Sequence, residues 1–380
     1  MPYREKAGLR GLPLTEDFPT PLPDTAKRST FWPAVLCVAI AFVGGVIFDQ
    51  FHLPLAYMLG AICFTMIAGM SGAPIARPHR YAVSPMRASL GVLLGAAVTP
   101  ELLDRLAALG AAAAFVPVFV IVSAVIGMIY YTRVAGFSRE EAFFSALPGG
   151  LHAMTIYAEE CGVDIRRVAL AHALRITFVV LLTPFAVSFL IHLPEVRITN
   201  AAVSITEIVP RDFVLLVIAG IVGWYVGRWT KMPGAEMLGP MVASALLHIT
   251  GITAAKPPVE FIIISQVVIG ASIGARYIGE TFEIVKSSIV FALGHVTIML
   301  AIAATFAFVL HLVFDLPVIT GLLSFAPGGM SEIGLIALTL GLDVGFVATI
   351  QVTRLTTIAL FAPIAFRRIR HVLADKAPGS

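Results

Sequence analysis

The chain has 380 residues, of which 58% are hydrophobic and 13% charged, with a net charge of +3. Soluble domains carry about 25% charged residues, so this chain cannot cover a water-facing surface, and its apolar content excludes disorder. A mean hydropathy of +0.92 leaves a polytopic helical membrane protein, and the small net charge gives no footprint for nucleic acid.

Residues 1–30 are polar and rich in Pro, with no short apolar region near the start, so they read as a disordered cytoplasmic tail and not as a signal peptide. Arg4, Lys6, Arg10, Lys27 and Arg28 precede the first apolar run, which favours a cytoplasmic N-terminus. A crossing needs about 20 apolar residues. Ten stretches approach that: 32–50, 53–70, 86–100, 107–131 and 168–191, then 211–229, 232–249, 259–276, 287–313 and 345–366. The third and eighth are the weakest, and 86–100 carries Gly91 and Gly95, which suits close packing inside a bundle.

The second five repeat the first. One constant shift along the chain places Pro54, Ala56, Met58, Leu59 and Gly60 on Pro233, Ala235, Met237, Leu238 and Gly239. The same shift places Gly91 on Gly270, Pro148-Gly149-Gly150 on Pro327-Gly328-Gly329, Asp164 on Asp343, and Arg175 on Arg354. The halves are 31–192 and 211–366, with an external linker at 193–210 and a cytoplasmic tail at 367–380.

Between the last two spans of each half lies an interrupted segment, 138–162 and 317–341, with about ten residues on either side of P-G-G. Proline removes a backbone donor and paired glycines have little helical preference, so both segments should break there. Irregular backbone at membrane depth is tolerated only when buried in protein or lining a cavity, which predicts two re-entrant hairpins. With the N-terminus inside and five spans per half, 20 of the 26 Lys and Arg fall on the cytoplasmic side. Twelve full crossings would place Arg166, Arg167, Arg228 and Lys231 outside, against the positive-inside rule. The expected fold is therefore all-α, about ten transmembrane helices plus two re-entrant broken hairpins, in two inverted-topology repeats.

Inverted halves bring the hairpin tips toward each other, and the arm after each tip begins with free N–H groups that suit an anion. Pro148, Gly149, Gly150, Pro327, Gly328 and Gly329 are thus candidate substrate contacts; simple close packing is the alternative. Arg175 and Arg354 lie about seven residues into their spans. A charge at that depth faces an interior, pairs, or serves a pathway. The guanidinium fork either holds a substrate carboxylate or phosphate, or braces the carbonyls of a hairpin arm. His172 shares a helix face with Arg175 and has Gln351 as its repeat partner, so both are ion-coupling candidates. His152, Ser331 and Glu332 follow the glycines and complete the binding candidates; Glu332 alternatively satisfies a helix N-terminus. Asp164 and Asp343 read as helix N-caps.

Cys37, Cys63 and Cys161 lack C-x-x-C spacing and read as packing residues, and the scattered histidines give no metal or cofactor motif. No nucleophile motif appears, so no enzyme is expected.

The segments LPGGLHAMTIYAEECGVDIRRVALAHALRI and APGGMSEIGLIALTLGLDVGFVATIQVTRL, with the shared P-x-A-x-M-L-G block, resemble the AbrB family of bacterial membrane proteins. The resemblance covers about 34–366 and implies an internally duplicated membrane protein of the kind labelled a regulator of gene expression or an ammonia monooxygenase. The leading expectation is a secondary transporter of a small organic anion in the bacterial inner membrane, driven by protons or sodium, with both termini cytoplasmic; a homodimer stays open. A sensor affecting gene expression would need a cytoplasmic effector larger than the two tails, and an oxygenase would need bound metal.

Overall fold

A computed structural model describes residues 31–98, 106–149, 151–191, 204–232 and 234–374. The tail at 1–30, most of the 193–210 linker, Gly150 and the last six residues lie outside these. The described residues form helices and turns, with no strand among them.

The first half contains α1 (Phe31–Gln50), α2 (Ala56–Met70), α3 (Arg80–Ala96), α4 (Leu106–Ala113), α5 (Phe115–Arg133), α6 (Arg139–Ala146), α7 (Leu151–Glu160) and α8 (Ile165–Ile191). The second contains α9 (Pro210–Trp229), α10 (Ala235–Ile249) and α11 (Val259–Gly274), which runs into a 3₁₀ turn at Ala275–Tyr277. It continues with α12 (Phe282–Phe314), α13 (Val318–Phe325), α14 (Met330–Thr339) and α15 (Val344–Ala374).

The duplication seen in the letters governs the helix ends. α9, α10, α13 and α14 begin and end at the repeat equivalents of the first and last residues of α1, α2, α6 and α7. Backbone exceptions obey the same offset: His52 and Lys231 are both left-handed, with φ 55° and 54°, as are Leu55 and Gly234. Gly162 and Gly341 stop α7 and α14 in the same way, with φ 72° and 64°. The next residues, Val163 and Leu342, donate back to the Ala158 and Ala337 carbonyls, both at 2.9 Å. That i to i−5 bond is the signature of a glycine-terminated helix.

Among the described residues, seven helices are long and apolar enough to cross a membrane: Phe31–Gln50, Leu109–Arg133, Ile165–Ala186, Pro210–Trp229, Val259–Tyr277, Phe282–Phe314 and Val344–Phe366. The expected spans 53–70 and 232–249 are cut to 15-residue helices, α2 and α10. At 1.5 Å per residue each rises roughly 22 Å, short of a core of about 30 Å. The left-handed residues Leu55 and Gly234, which directly precede them, delay their starts. The expected span 86–100 is instead a helix that begins at Arg80 and ends at Ala96, at 17 residues also short of a full crossing.

Large apolar side chains are exposed along α1 (Phe42, Val43), α5 (Ile121, Val125), α9 (Val217, Ile221) and α12 (Val290, Leu312). Continuous apolar surface of this kind is incompatible with water and fits lipid. α11 is instead buried along most of its length.

The halves interlock through glycine. A Cβ on Gly44 of α1 would meet the Gly60 carbonyl of α2 at 2.5 Å, and one on Gly223 of α9 would meet the Gly239 carbonyl of α10 at the same distance. Across the halves, Gly91 of α3 abuts the Met237 carbonyl of α10, and its repeat partner Gly270 of α11 abuts the Met58 carbonyl of α2. Each half therefore packs its third helix on the second helix of the other. Such reciprocity is what a pseudo-two-fold relation between repeats produces.

Side-chain bonds sort the loops into two ends. Arg166 pairs with Glu280 at 3.1 Å and Arg167 with Glu141 at 3.4 Å. Arg77 reaches Ser272 at 3.4 Å, and Arg87 pairs with Glu236 at 2.9 Å. At the other end Ser204 donates to Glu260 at 2.8 Å and Thr253 to Asp212 at 3.0 Å.

Candidate functional site

Both interrupted segments are helix–break–helix units. Ser138 opens α6 with a capping box: its hydroxyl accepts from the Glu141 N–H at 3.2 Å, and its own N–H donates to the Glu141 carboxylate at 2.7 Å. The arm ends because Leu147 precedes proline, which drives it out of helical geometry, to φ −59°, ψ 129°. Ala326 does the same before Pro327, at φ −55°, ψ 135°.

A helix that stops in a buried place leaves carbonyls without partners. Here long side chains from the following span satisfy them. Arg175 Nη1 donates to the Leu147 carbonyl at 2.8 Å and Nη2 to the Gly149 carbonyl at 2.9 Å. Arg354 Nη1 donates to the Ala326 carbonyl at 2.6 Å and Nη2 to the Gly328 carbonyl at 3.0 Å. His172 Nε2 meets the Phe144 carbonyl at 2.9 Å, and Gln351 Nε2 donates to the Leu323 carbonyl at 3.3 Å. Gln351 also accepts from Arg354 Nη2 at 2.6 Å through its side-chain oxygen. Each of these contacts in the first unit recurs between the equivalent residues of the second.

The bracing alternative raised by the sequence is thus the geometry found. The terminal nitrogens of Arg175 and Arg354 are committed to the backbone at the breaks, and both side chains are buried to within 2%. Cations at the carbonyl end of a helix also complement its dipole.

Pro148, Gly149, Pro327, Gly328 and Gly329 form the breaks, while Gly150 and the His152 side chain lie outside the described residues. Ser331 and Glu332 are buried at the start of α14. The Glu332 carboxylate folds back against Gly329, where a Cβ would collide with Oε2. That oxygen has no hydrogen-bond partner among the described residues. Asp164 and Asp343 cap the spans that follow, accepting from the Arg166 and Phe346 N–H groups, both at 2.9 Å.

Two further groups stand outside the sequence-based candidates. His295 of α12 is fully buried, with neither ring nitrogen hydrogen-bonded, and its ring lies 4.6 Å from that of Tyr131. The unpartnered Tyr131 hydroxyl, Ser145 hydroxyl, His172 Nδ1 and Arg175 Nε come from the helices packed around it. Arg276, at the end of α11, is the second, with Nε and Nη1 buried and unpartnered. A histidine inside a 33-residue apolar helix is a readable signal; the position of Arg276 at a span's edge makes it look like a loop charge. Among the described residues no group of three or more His, Cys, Asp or Glu is placed to hold a metal.

The profile of the family described as "Transition state regulatory protein AbrB" matches residues 57–370. A Bacillus subtilis protein named "Uncharacterized protein YhjN" is 29% identical over 369 residues, covering 89% of this chain and 94% of that protein. An Escherichia coli protein named "Putative regulator AbrB" is 26% identical over 340 residues, covering 88% of this chain and 95% of that protein.

Proposed function

The chain belongs to the AbrB family, and on that premise we propose that it is a secondary transporter of a small organic anion, with the two P-G-G breaks forming the substrate site. The observation that carries this reading is the pair of symmetry-related broken helices, each held at its break by a buried Arg from the next span. Packing alone needs no break. Discontinuous helices in repeated halves are how transporters present helix ends to a solute near the middle of the bilayer.

The roles divide by geometry. Gly149, Gly328 and Gly329 offer backbone at close range, and Ser331 and Glu332 supply polar groups in the arm that follows; Gly150 and His152 join them by the sequence repeat alone. Arg175 and Arg354 act as positioning residues, fixing the breaks so that the second arms keep their aim. His172, within electrostatic reach of the buried His295, is the candidate for proton coupling, with Gln351 as its non-titrating repeat partner.

Sidedness completes the reading. The loops that are joined by Arg166–Glu280, Arg167–Glu141, Arg77–Ser272 and Arg87–Glu236 carry most of the basic residues, so we assign that end to the cytoplasm of a bacterial inner membrane. Both termini then face the cytoplasm.

The test is solute uptake by purified protein in proteoliposomes, with and without proton or sodium gradients. Gradient-dependent uptake of an organic anion, lost in Gly328→Val, supports the reading. No uptake across a broad anion panel, with the protein folded and correctly inserted, refutes it.

A further inference from the structure

Among the described residues, Arg276 is a charge with buried nitrogens that nothing satisfies. It follows α11 in the 3₁₀ turn Ala275–Tyr277, which is anchored to α8 by a bond from the Tyr277 hydroxyl to Thr177 at 2.9 Å. Its Nε and Nη1 are buried and have no hydrogen-bond partner among the described residues. Buried guanidinium nitrogens without acceptors carry the full desolvation cost, so an acceptor belongs there.

Further cations surround it. Ser272 lies one helical turn before Arg276, on the same face, and Arg77 donates to Ser272 at 3.4 Å. Arg87, on the neighbouring α3, is held by Glu236 at 2.9 Å, and Glu236 also accepts from Ser84 at 2.6 Å. Arg276 senses the charges of Arg77, Arg87 and Glu332. Glu332 sits in the first turn of α14, which meets α3 where Gly334 abuts Leu94. Of the two carboxylates in this neighbourhood, Glu236 is already taken by Arg87, and Glu332 accepts no hydrogen bond from Arg276. The cluster is graded in depth: Arg77 is exposed, Arg87 half-exposed, and the inner nitrogens of Arg276 enclosed.

We propose that Arg276, with Arg77 and Arg87 leading to it, forms a binding site for the carboxylate or phosphate group of a small soluble anion, between the end of α11 and the second P-G-G break. The inference rests on the transport reading, and adds the residue that holds the anion and the end from which it is reached. A guanidinium offers paired donors that match both oxyanions. Enclosure of Nε and Nη1 among helices favours a solute over a lipid headgroup.

The probes are inorganic phosphate and succinate, titrated calorimetrically into the full chain in an uncharged detergent at constant ionic strength. Saturable binding of at least one is expected, weakened about tenfold or more by Arg276→Gln. Arg276→Lys should restore part of the affinity, and Lys286→Gln, outside the cluster, should match wild type. If Arg276→Gln misfolds, the exposed Arg77→Gln carries the test with a severalfold loss. Equal affinity in the wild type and the folded arginine variants overturns the site, as does saturable binding of neither probe. Arginine-dependent stabilisation by phosphatidylglycerol in mixed micelles, without either soluble probe binding, also overturns it and assigns the group to lipid. Uptake with unchanged KM in Arg276→Gln would sink this site and leave the transport reading; arginine-dependent binding without any uptake would do the reverse.

Discussion

Arg175 and Arg354 make the same two bonds to backbone carbonyls that are themselves repeat equivalents: Leu147 and Gly149 for one, Ala326 and Gly328 for the other. A duplicated chain that has lost much of its identity keeps this contact because each partner needs the other. Buried carbonyls at a forced helix end need donors, and a guanidinium in a span needs acceptors.

The brace has a measurable strength. Arg175→Ala or Arg354→Ala strands two buried carbonyls, at about 1–3 kcal/mol each. Both variants should unfold at clearly lower temperature in detergent and lose uptake together. Lysine is a single point donor and cannot span the fork, so Arg354→Lys should recover only part of the stability. An Arg354→Ala protein that melts like wild type yet fails to bind anion would return Arg354 to the substrate-contact role.

His172 and Gln351 occupy equivalent positions and do equivalent work on the Phe144 and Leu323 carbonyls. His172→Gln should therefore fold and melt like wild type, since the repeat partner shows that an amide can serve there. A Gln cannot relay a proton. Proton-driven uptake should disappear, while counterflow exchange between equal solute pools, which needs no proton, continues. If proton-driven uptake persists in His172→Gln, the histidine is a brace and nothing more.

The duplication, the breaks and the N-caps at Asp164 and Asp343 are legible in the sequence because they depend on local chemistry: Pro, Gly and Asp act on their immediate neighbours. The sequence leaves Arg175 and Arg354 between a substrate contact and a brace on the carbonyls beside the break, since a buried Arg announces that it needs acceptors without saying which. The length of α2 escapes a reading by hydropathy because Leu55 is an ordinary apolar residue in sequence and a left-handed one in the fold. Arg276 resembles any loop charge, and only the packing of α3, α11 and α14 shows its nitrogens enclosed.

The glycine contacts give a stability series with no functional ambiguity. Gly60 and Gly239 lie where a Cβ would collide with the Gly44 and Gly223 carbonyls, which are backbone and cannot step aside. Gly60→Leu and Gly239→Leu should each prevent accumulation of folded protein, by forcing α1 from α2 or α9 from α10. Gly110 faces open space, and Gly110→Ala should be neutral or slightly stabilising, because alanine favours a helix by about 1 kcal/mol. Fluorescence-detected size exclusion on the three variants reads this directly, and a monodisperse Gly239→Leu protein at wild-type yield would contradict the packing.

The assignment of sides rests on ion pairs that cross the sequence. Arg166 and Glu280 are 114 positions apart and meet at 3.1 Å, so the turn before α8 and the turn before α12 share one end. Glu207 belongs to the opposite end, in the exposed turn beside the Ser204–Glu260 bond. In a background lacking Cys37, Cys63 and Cys161, Glu207→Cys should react with an impermeant maleimide on intact cells. Arg166→Cys should react only after the membrane is opened, and Glu280→Cys should follow it. The pair matters more than either site alone. Labelling of both 166 and 280 from outside would invert the assigned orientation and leave the fold intact. Labelling of one without the other would separate two residues that the structure joins, and would break the common end on which the anion path is drawn.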